Sequence, residues 1–505
     1  MFSGWLTAIV FLPVIGALLI AVLPINGKTI KYIAALISVI ELILAISVFA
    51  MYDNSKSGFQ LVDKFSDWIP IESFRVEYIL GVDGLSAPLI LLTGLLGVAA
   101  IFASWNVQFR EKEYFIWLLV IQTAVMGVFT SLDLVLFFIF WELELLPMFL
   151  LISIWGSGRK EYSAMKFFIF TILGGACMLV SILVLFFSVG TFNIMEIPLI
   201  LGEWPRLLLP PTTIFIFFFI GFAIKLPVWP LHSWLPDAHT DAPTAVSIIL
   251  AGVLLKMGGY GLIRIAVGFF PAVAVNYAWV LASLATISIL YGAIVTVRQT
   301  DLKRLIAFSS ISHMGFVLLG ISSVIGVGGV VSSVGLTGAA LQMFTHGTIT
   351  GLLFLLVGLI YEKAQTRHIP DLGGLANKMP LVTVALLIGG LASLGLPGLS
   401  GFPAEITIFL GTFPVWSWLT AISAFSIVFT AGYILWTIQR TVFGPTSSRF
   451  TNIQDVNIVE GIPILILIIP IFAIGIYPAL LSNVFSVGVS PIIESVQNAL
   501  RVSIP

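Results

Sequence analysis

Phe222-Ala223-Ile224-Lys225-Leu226-Pro227-Val228-Trp229-Pro230-Leu231-His232-Ser233-Trp234-Leu235-Pro236-Asp237-Ala238-His239 is the stretch on which the fold turns. It opens as an apolar helix, carries a lysine at its centre, and then breaks. Pro227 and Pro230 each remove a backbone donor and disrupt the preceding turn. Carbonyls freed inside a membrane must be satisfied by protein or by water lining a cavity. A lysine just before such a break therefore sits beside unpaired backbone and close to water. Leu394-Gly395-Leu396-Pro397-Gly398-Leu399-Ser400-Gly401-Phe402-Pro403-Ala404-Glu405 repeats the device later in the chain. Paired interrupted segments are the sequence pointer to an inverted-repeat transporter.

Working outward, fourteen apolar stretches fit membrane spans of about 20 residues each: 5–24, 30–51, 83–104, 114–130, 133–155, 163–189, 212–235, 243–269, 278–297, 305–325, 336–361, 380–410, 416–441 and 459–483. Of the 505 residues, 59% are hydrophobic and only 9% charged, against about 25% charged in a soluble domain. Too few charges exist to cover a soluble surface. The expected fold is an all-α polytopic membrane protein of about 14 transmembrane helices. Spans four to eight and nine to thirteen form two inverted five-helix repeats, each with one broken helix. The units expected are residues 1–110 (spans 1–3), 111–270 (first repeat), 271–442 (second repeat) and 443–505 (last span and tail). The N-terminus lacks a basic region and a small-residue cleavage site, so 5–24 reads as a retained first span.

Loops after odd-numbered spans hold fourteen Lys and Arg residues, from Lys28 to Arg449; the opposite face holds six: Lys56, Lys64, Arg75, Arg206, Arg264 and Arg501. The positive-inside rule puts the odd loops in the cytoplasm and both termini outside. Residues 52–82 form the longest extramembrane piece. The near-balance of 23 basic and 24 acidic residues excludes a nucleic-acid partner, which needs a strong positive field. The lone Cys177 excludes a disulfide framework and a cysteine-ligated cluster, and reads as a small packing residue.

Several ionisable residues lie inside the apolar runs: Glu41, Glu142, Glu144, Lys166, Lys225, Lys256, His313, His346 and Glu405. Charges at that depth cost several kcal/mol, face a bundle interior and mark a pathway. Glu142 and Glu144 are two apart and point to different helix faces, so one belongs on the main pathway and the other is secondary. Lys166, near a helix end, can snorkel. Glu41 lies outside both repeats and could meet a neighbouring subunit. His232 and His239 flank the cytoplasmic mouth, where proton uptake would begin.

Trp141-Glu142 with Pro147, Lys225-Leu226-Pro227 running to Pro243, the Lys256 helix, Ser309-Ser310-Ile311-Ser312-His313-Met314-Gly315, and Gly401 to Glu405 together resemble one class of chain. It is the subunit-4 (M-type, or D-type in photosynthetic complexes) antiporter-like chain of respiratory complex I, and the resemblance covers essentially the whole length. It implies a proton path through Glu142, Lys225, Lys256 and Glu405 with His313 and His346 at its centre, and Glu144 as an extra carboxylate found in bacterial and plastid-type chains. The implied function is proton pumping within an NADH or ferredoxin:quinone oxidoreductase. NADH or ferredoxin, iron–sulfur clusters and quinone are then held by partner subunits, with none in this chain. The implied partners are the other membrane-arm subunits and the lipid bilayer of a bacterial inner membrane or a thylakoid. A subunit of a multi-subunit cation/proton antiporter is the alternative, since it shares the Glu142/Lys225 motif. A haem protein using His313 and His346 as axial ligands is the third reading, and no second histidine pair supports it.

Overall fold

The computed structural model describes residues 4–69, 71, 74–203, 205–324, 330–445, 450 and 453–503. Glu72 and Arg449, both used in the sequence reading, lie outside the described residues, as do the side chains of Asp67 and Arg501.

The chain opens with α1 (Trp5–Val22) and α2 (Gly27–Met51). A hairpin of β1 (Gln60–Ile69) and β2 (Val76–Val82) follows, antiparallel with Gln60 opposite Val82 and Phe65 opposite Tyr78. This hairpin lies in the extramembrane segment 52–82. The buried Asp63 fastens it, its carboxylate accepting from the backbone N–H of Gly4 at 2.7 Å and of Thr7 at 3.0 Å. The start of the chain and the hairpin therefore share one face of the molecule.

Next come α3 (Ser86–Ala103), α4 (Glu111–Thr130), α5 (Leu134–Leu143), α6 (Leu145–Trp155) and α7 (Lys160–Val189). α5 and α6 form one span interrupted at Glu144. After the short α8 (Ile197–Gly202), the seventh span divides into α9 (Pro211–Lys225) and α10 (Trp234–Asp241). The eighth runs through α11 (Thr244–Ile249) and α12 (Leu255–Gly261), with wide π-helical turns over Leu250–Leu254 and Leu262–Val267.

The second repeat is α13 (Pro271–Val297), α14 (Leu302–Ser322), α15 (Ser333–Ala364), the divided twelfth span α16 (Pro380–Ser393) and α17 (Gly401–Thr412), and α18 (Ser417–Val442). α19 (Ile458–Ile476) and α20 (Ala479–Ser503) complete the chain. Among the described residues thirteen helices are long and apolar enough to cross a membrane, α20 included, and the shorter α9 and α16 are the first halves of the two broken spans; the twelve other than α20, together with these two, make fourteen.

The internal symmetry is visible in backbone detail. Asp133 caps α5, accepting from Val135 and Leu136, and Asp301 caps α14, accepting from Arg304. Leu134 N–H donates to Phe192 and Ile194 N–H to Leu132; in the second repeat Leu302 N–H donates to Arg367 and Ile369 N–H to Thr300. In each repeat, the turn before the second helix thus pairs with the loop after the third. The first of these sites contacts the hairpin, through Leu132 N–H to Ile79. The second precedes the tenth span and so, by helix alternation, lies at the opposite face. The two repeats are inverted.

The fourteenth span ends at Ile476, short of the expected 483, because Pro478 starts a new helix. α20 buries Leu481, Val484, Phe485, Val489, Ile492, Ile493 and Val496, an apolar stripe at helical spacing with a polar opposite face. Its neighbours are the ends of other elements. Val484 and Gly488 press on Gly84 at the start of α3, and Ser495 and Asn498 border an apolar recess with Leu207 and Phe270. α20 therefore lies across the hairpin-bearing face.

Spans eight, ten and eleven are enclosed by the others, while α1, α2, α7 and α18 leave much of their surface outward. The enclosed helices can carry ionisable side chains on any face without presenting them to lipid, whereas the outer ones must turn theirs inward, as α2 does with the buried Glu41.

Candidate functional site

α9 ends on Lys225, and the three carbonyls before the break, Phe222, Ala223 and Ile224, accept from Leu226 N–H, Val228 N–H and the Trp234 indole N–H. The Lys225 ammonium is fully buried, forms an ion pair with Glu144, and rests 5.5 Å from the Trp141 ring centre and 5.6 Å from that of Phe167. This corrects the expected pairing with Glu142. At 100° per residue, positions two apart point to nearly opposite sides of a helix, and the one turned inward is Glu144. Glu142 is half-buried beside a recess of about 420 Å³ lined by Trp117, Val120, Phe138 and Leu146. It leans on Gly175, which has no side chain to displace it, and its charge still reaches Lys225.

The eighth span sits directly on this break. A Cβ at Gly258 would come within 2.6 Å of both Leu226 N and Phe222 O, so glycine allows α12 to touch the end of α9. Lys256, two residues earlier, is fully buried. A π-helical turn leaves carbonyls without their usual i+4 donors, and the Lys256 ammonium donates to one of them, Ala251 O. Its other contact is His346 Nδ1 at 2.8 Å. The His346 and His313 ring centres are 5.6 Å apart. His313 Nε2 is 3.2 Å from Ser393 Oγ, and its Nδ1 is 3.3 Å from Glu405 Oε1. Glu405 lies in α17, five residues into the second half of the broken twelfth span.

Three contact pairs thus run through the interior: Glu144 with Lys225, Lys256 with His346, and His313 with Glu405. The first and third are related by the repeat, each joining a second helix to a broken fourth helix. Such an arrangement can bind, store and hand on protons.

A family model described as NADH:quinone oxidoreductase/Mrp antiporter, TM, matches residues 131–430, which hold all three pairs. The chain is 40% identical over 509 residues to NAD(P)H-quinone oxidoreductase chain 4 2 of Thermosynechococcus vestitus, covering 98% of this chain and 93% of that one. The chain belongs to this family. NADH-quinone oxidoreductase subunit M of Rhodobacter capsulatus is 37% identical, with 97% and 96% covered. Among solved structures, respiratory complex I from Thermus thermophilus with bound NADH contains a chain that superposes with a TM-score of 0.86 at 28% identity, covering 97% of this chain and 99% of that one. A chain of the Mrp complex from Dietzia has the same fold, with a TM-score of 0.82 at 19% identity and coverage of 97% and 99%.

Other ionisable groups of this family member take separate positions. Lys166, expected to snorkel, instead binds Asp237 of α10 at 2.8 Å, and Arg304 of α14 binds the same carboxylate at 3.4 Å. His239 is buried against the Phe354 ring, 4.6 Å between centres, and His232 packs against Tyr291 at 4.8 Å. Glu41 is buried within the chain itself, which removes it from any neighbour's reach, and its carboxylate has no hydrogen-bond partner among the described residues.

The sequence reading passed over Gln342 and Ser393. Both are buried, and both border the small cavity between His313, His346 and Glu405. Gln342 stands one turn before His346 and Ser393 ends the helix before the Gly395 break; those two spacings were the available signal.

Proposed function

We propose that this chain is the proton-translocating membrane-arm subunit of a complex I type NAD(P)H or ferredoxin:quinone oxidoreductase. The observation that carries the reading is the file of three buried pairs on enclosed or broken helices, in a chain similar over its whole length to quinone oxidoreductase chains. Lys225, Lys256, His313, His346 and Glu405 carry the proton, Glu144 modulates Lys225 directly, and Glu142 modulates it at longer range. NADH or ferredoxin, the iron–sulfur clusters and quinone belong to partner subunits, and their redox energy reaches this chain through the membrane arm.

A buried lysine holds its proton better beside a carboxylate than alone. Closing the Glu144–Lys225 pair therefore favours loading, and opening it favours release toward Lys256. From there the proton passes through His346 to the His313–Glu405 pair. Moving one charge against 100 mV requires about 2.3 kcal/mol, and each tenfold change in proton affinity supplies about 1.36 kcal/mol. A swing of a few orders of magnitude in affinity, within reach of making and breaking a buried pair, meets that requirement.

Fourteen basic residues against six support the odd loops facing the cytoplasm or stroma, with both termini on the outer or lumenal side of a bacterial inner membrane or thylakoid. The two repeats, residues 111–270 and 271–442, form the pumping unit, with 1–110 and 443–505 as flanking parts.

Pumping measured with donor oxidation in membranes, alongside assembly level, tests the proposal. Lys225→Ala and Lys256→Ala should abolish transfer. Glu405→Asp should retain part of it and Glu405→Ala very little, since only a titratable group relays a proton. Full pumping by an assembled Lys256→Ala variant would overturn the reading. Co-purification of the native assembly separates it from a cation/proton antiporter: hydrophilic iron–sulfur subunits mark the oxidoreductase, and small membrane chains alone mark the antiporter.

A further inference from the structure

The interior file has one gap. Lys256 occupies His346 Nδ1, so only Nε2 can carry a proton onward, and Nε2 has no hydrogen-bond partner among the described residues. Glu405, the next acceptor, is in contact with His313, and no hydrogen bond joins the two histidine rings among the described residues. Between them lies a cavity of about 10 Å³ bordered by His313, Gln342, His346, Ser393 and Glu405. A single water needs roughly that volume and two to four polar partners.

Among the described residues, His346 Nε2 and Gln342 Oε1, on side chains lining this cavity, are buried without a hydrogen-bond partner, and His313 Nδ1 has only its 3.3 Å contact with Glu405 Oε1. Gln342 is 2% exposed. A carboxamide has no proton to exchange, and a buried amide oxygen without a donor is unfavourable. Apolar side chains of the same length would fill the position with no such penalty.

We propose that this cavity is a binding site for one water molecule, that Gln342 Oε1 orients it, and that the proton passes from His346 to Glu405 through it. The inference rests on the proton-relay reading above and adds a positioning residue to it. Gln342 Oε1 accepts one water hydrogen, which turns the water oxygen toward His346 Nε2. Lys256 gives a proton to Nδ1, and the imidazolium gives its Nε2 proton to the water. The water in turn loses a proton to the Glu405 carboxylate. One N–H bond breaks at His346 and one O–H bond forms at Glu405, and the water is regenerated. His346 is left as the other neutral tautomer, which must reset before the next cycle.

The test uses the whole complex in its membrane. Gln342→Met keeps length and volume but removes the acceptor; Gln342→Glu keeps an oxygen in the same place. Proton transfer per donor oxidised should fall about tenfold in Gln342→Met, less than the roughly 10²–10⁴-fold that an acid–base group itself contributes, and its solvent deuterium isotope effect should rise. Gln342→Glu should recover most of the transfer. A purely structural role for Gln342 would change assembly without moving the isotope effect. Parent-level pumping and an unchanged isotope effect in assembled Gln342→Met would overturn the inference. Lys256→Ala, measured in parallel, separates the two failures: if it is inactive while Gln342→Met pumps fully, only the water site falls, and if both pump, the relay reading falls. Should Gln342→Met fail to assemble, a high-resolution map of the parent complex decides: an ordered water bonded to Gln342 Oε1 and His346 Nε2 supports the site, and a dry cavity overturns it.

Discussion

Two carboxylates two positions apart in sequence meet different surroundings. Glu144 is buried against the Lys225 ammonium, whereas Glu142 lies half-buried beside Gly175 and an outward recess. Removing one partner of a buried pair leaves a charge uncompensated, at a cost of about 3–5 kcal/mol, while a half-exposed charge acting at longer range contributes far less. Glu144→Gln should therefore lower pumping by about tenfold or more, and Glu142→Gln should be milder. Proton uptake by inverted membrane vesicles, normalised to assembled complex, checks this. A more severe Glu142→Gln would return the modulating role to that residue and reverse the pairing drawn here.

At the scale of elements, the broken helices do what a continuous helix cannot. A straight twelfth span would keep every carbonyl bonded and pass through the bilayer without a polar opening. In the structure Gly395 adopts φ +79°, a left-handed conformation suited to glycine, and the chain then restarts at Gly401. Gly401 sits directly against the Ala392 carbonyl, so an added Cβ would have to push α16 and α17 apart. Ser393 and Glu405, which contact His313, lie on opposite sides of this joint. Gly401→Ala should leave the chain in the membrane yet reduce pumping several-fold by displacing Glu405 from His313, as a misplacement of about 1 Å in a relay can do. Pumping and assembly measured together distinguish this from misfolding, and parent-level pumping in an assembled variant would show that the joint tolerates the methyl group. The π-helical turn before Lys256 serves a related purpose, since Ala251 O is free to hold the ammonium only because the helix widens there.

For the whole molecule, the argument concerns faces. The hairpin, the start of α1 and the length of α20 lie together, and the loop at Arg159, after an odd-numbered span, lies opposite. Single cysteines at Lys56 and at Ser490, both exposed, should react with an impermeant reagent from one side of the membrane, and a cysteine at Arg159 from the other. Labelling of Ser490→Cys and Arg159→Cys from the same side would mean that α20 crosses the bilayer. In the proposed orientation the Arg159 side is the cytoplasmic or stromal one.

The number of spans, the two interrupted helices, the inverted order of the repeats and the place of Lys225, Lys256, His313, His346 and Glu405 within apolar runs could all be read along the chain. Each depends on local properties: a run of apolar residues long enough for a bilayer, a proline that lacks a donor, a glycine that permits φ +79°, a charge in an apolar setting. Only the tertiary structure decided which groups meet. The choice of Glu144 over Glu142 depends on how far α5 and α6 are rotated about their axis, and a rotation of 100° per residue exchanges inside for outside. Gln342 and Ser393 gain meaning only where α14, α15, α16 and α17 converge on one small cavity. The hairpin needs the α1 backbone to satisfy Asp63, and α20 lies flat because the ends of α3 and α13 offer its apolar stripe a surface. Hydrophobicity and backbone chemistry act on neighbours in sequence, whereas pairing, cavities and surface helices depend on residues brought together from distant spans, which no local pattern records.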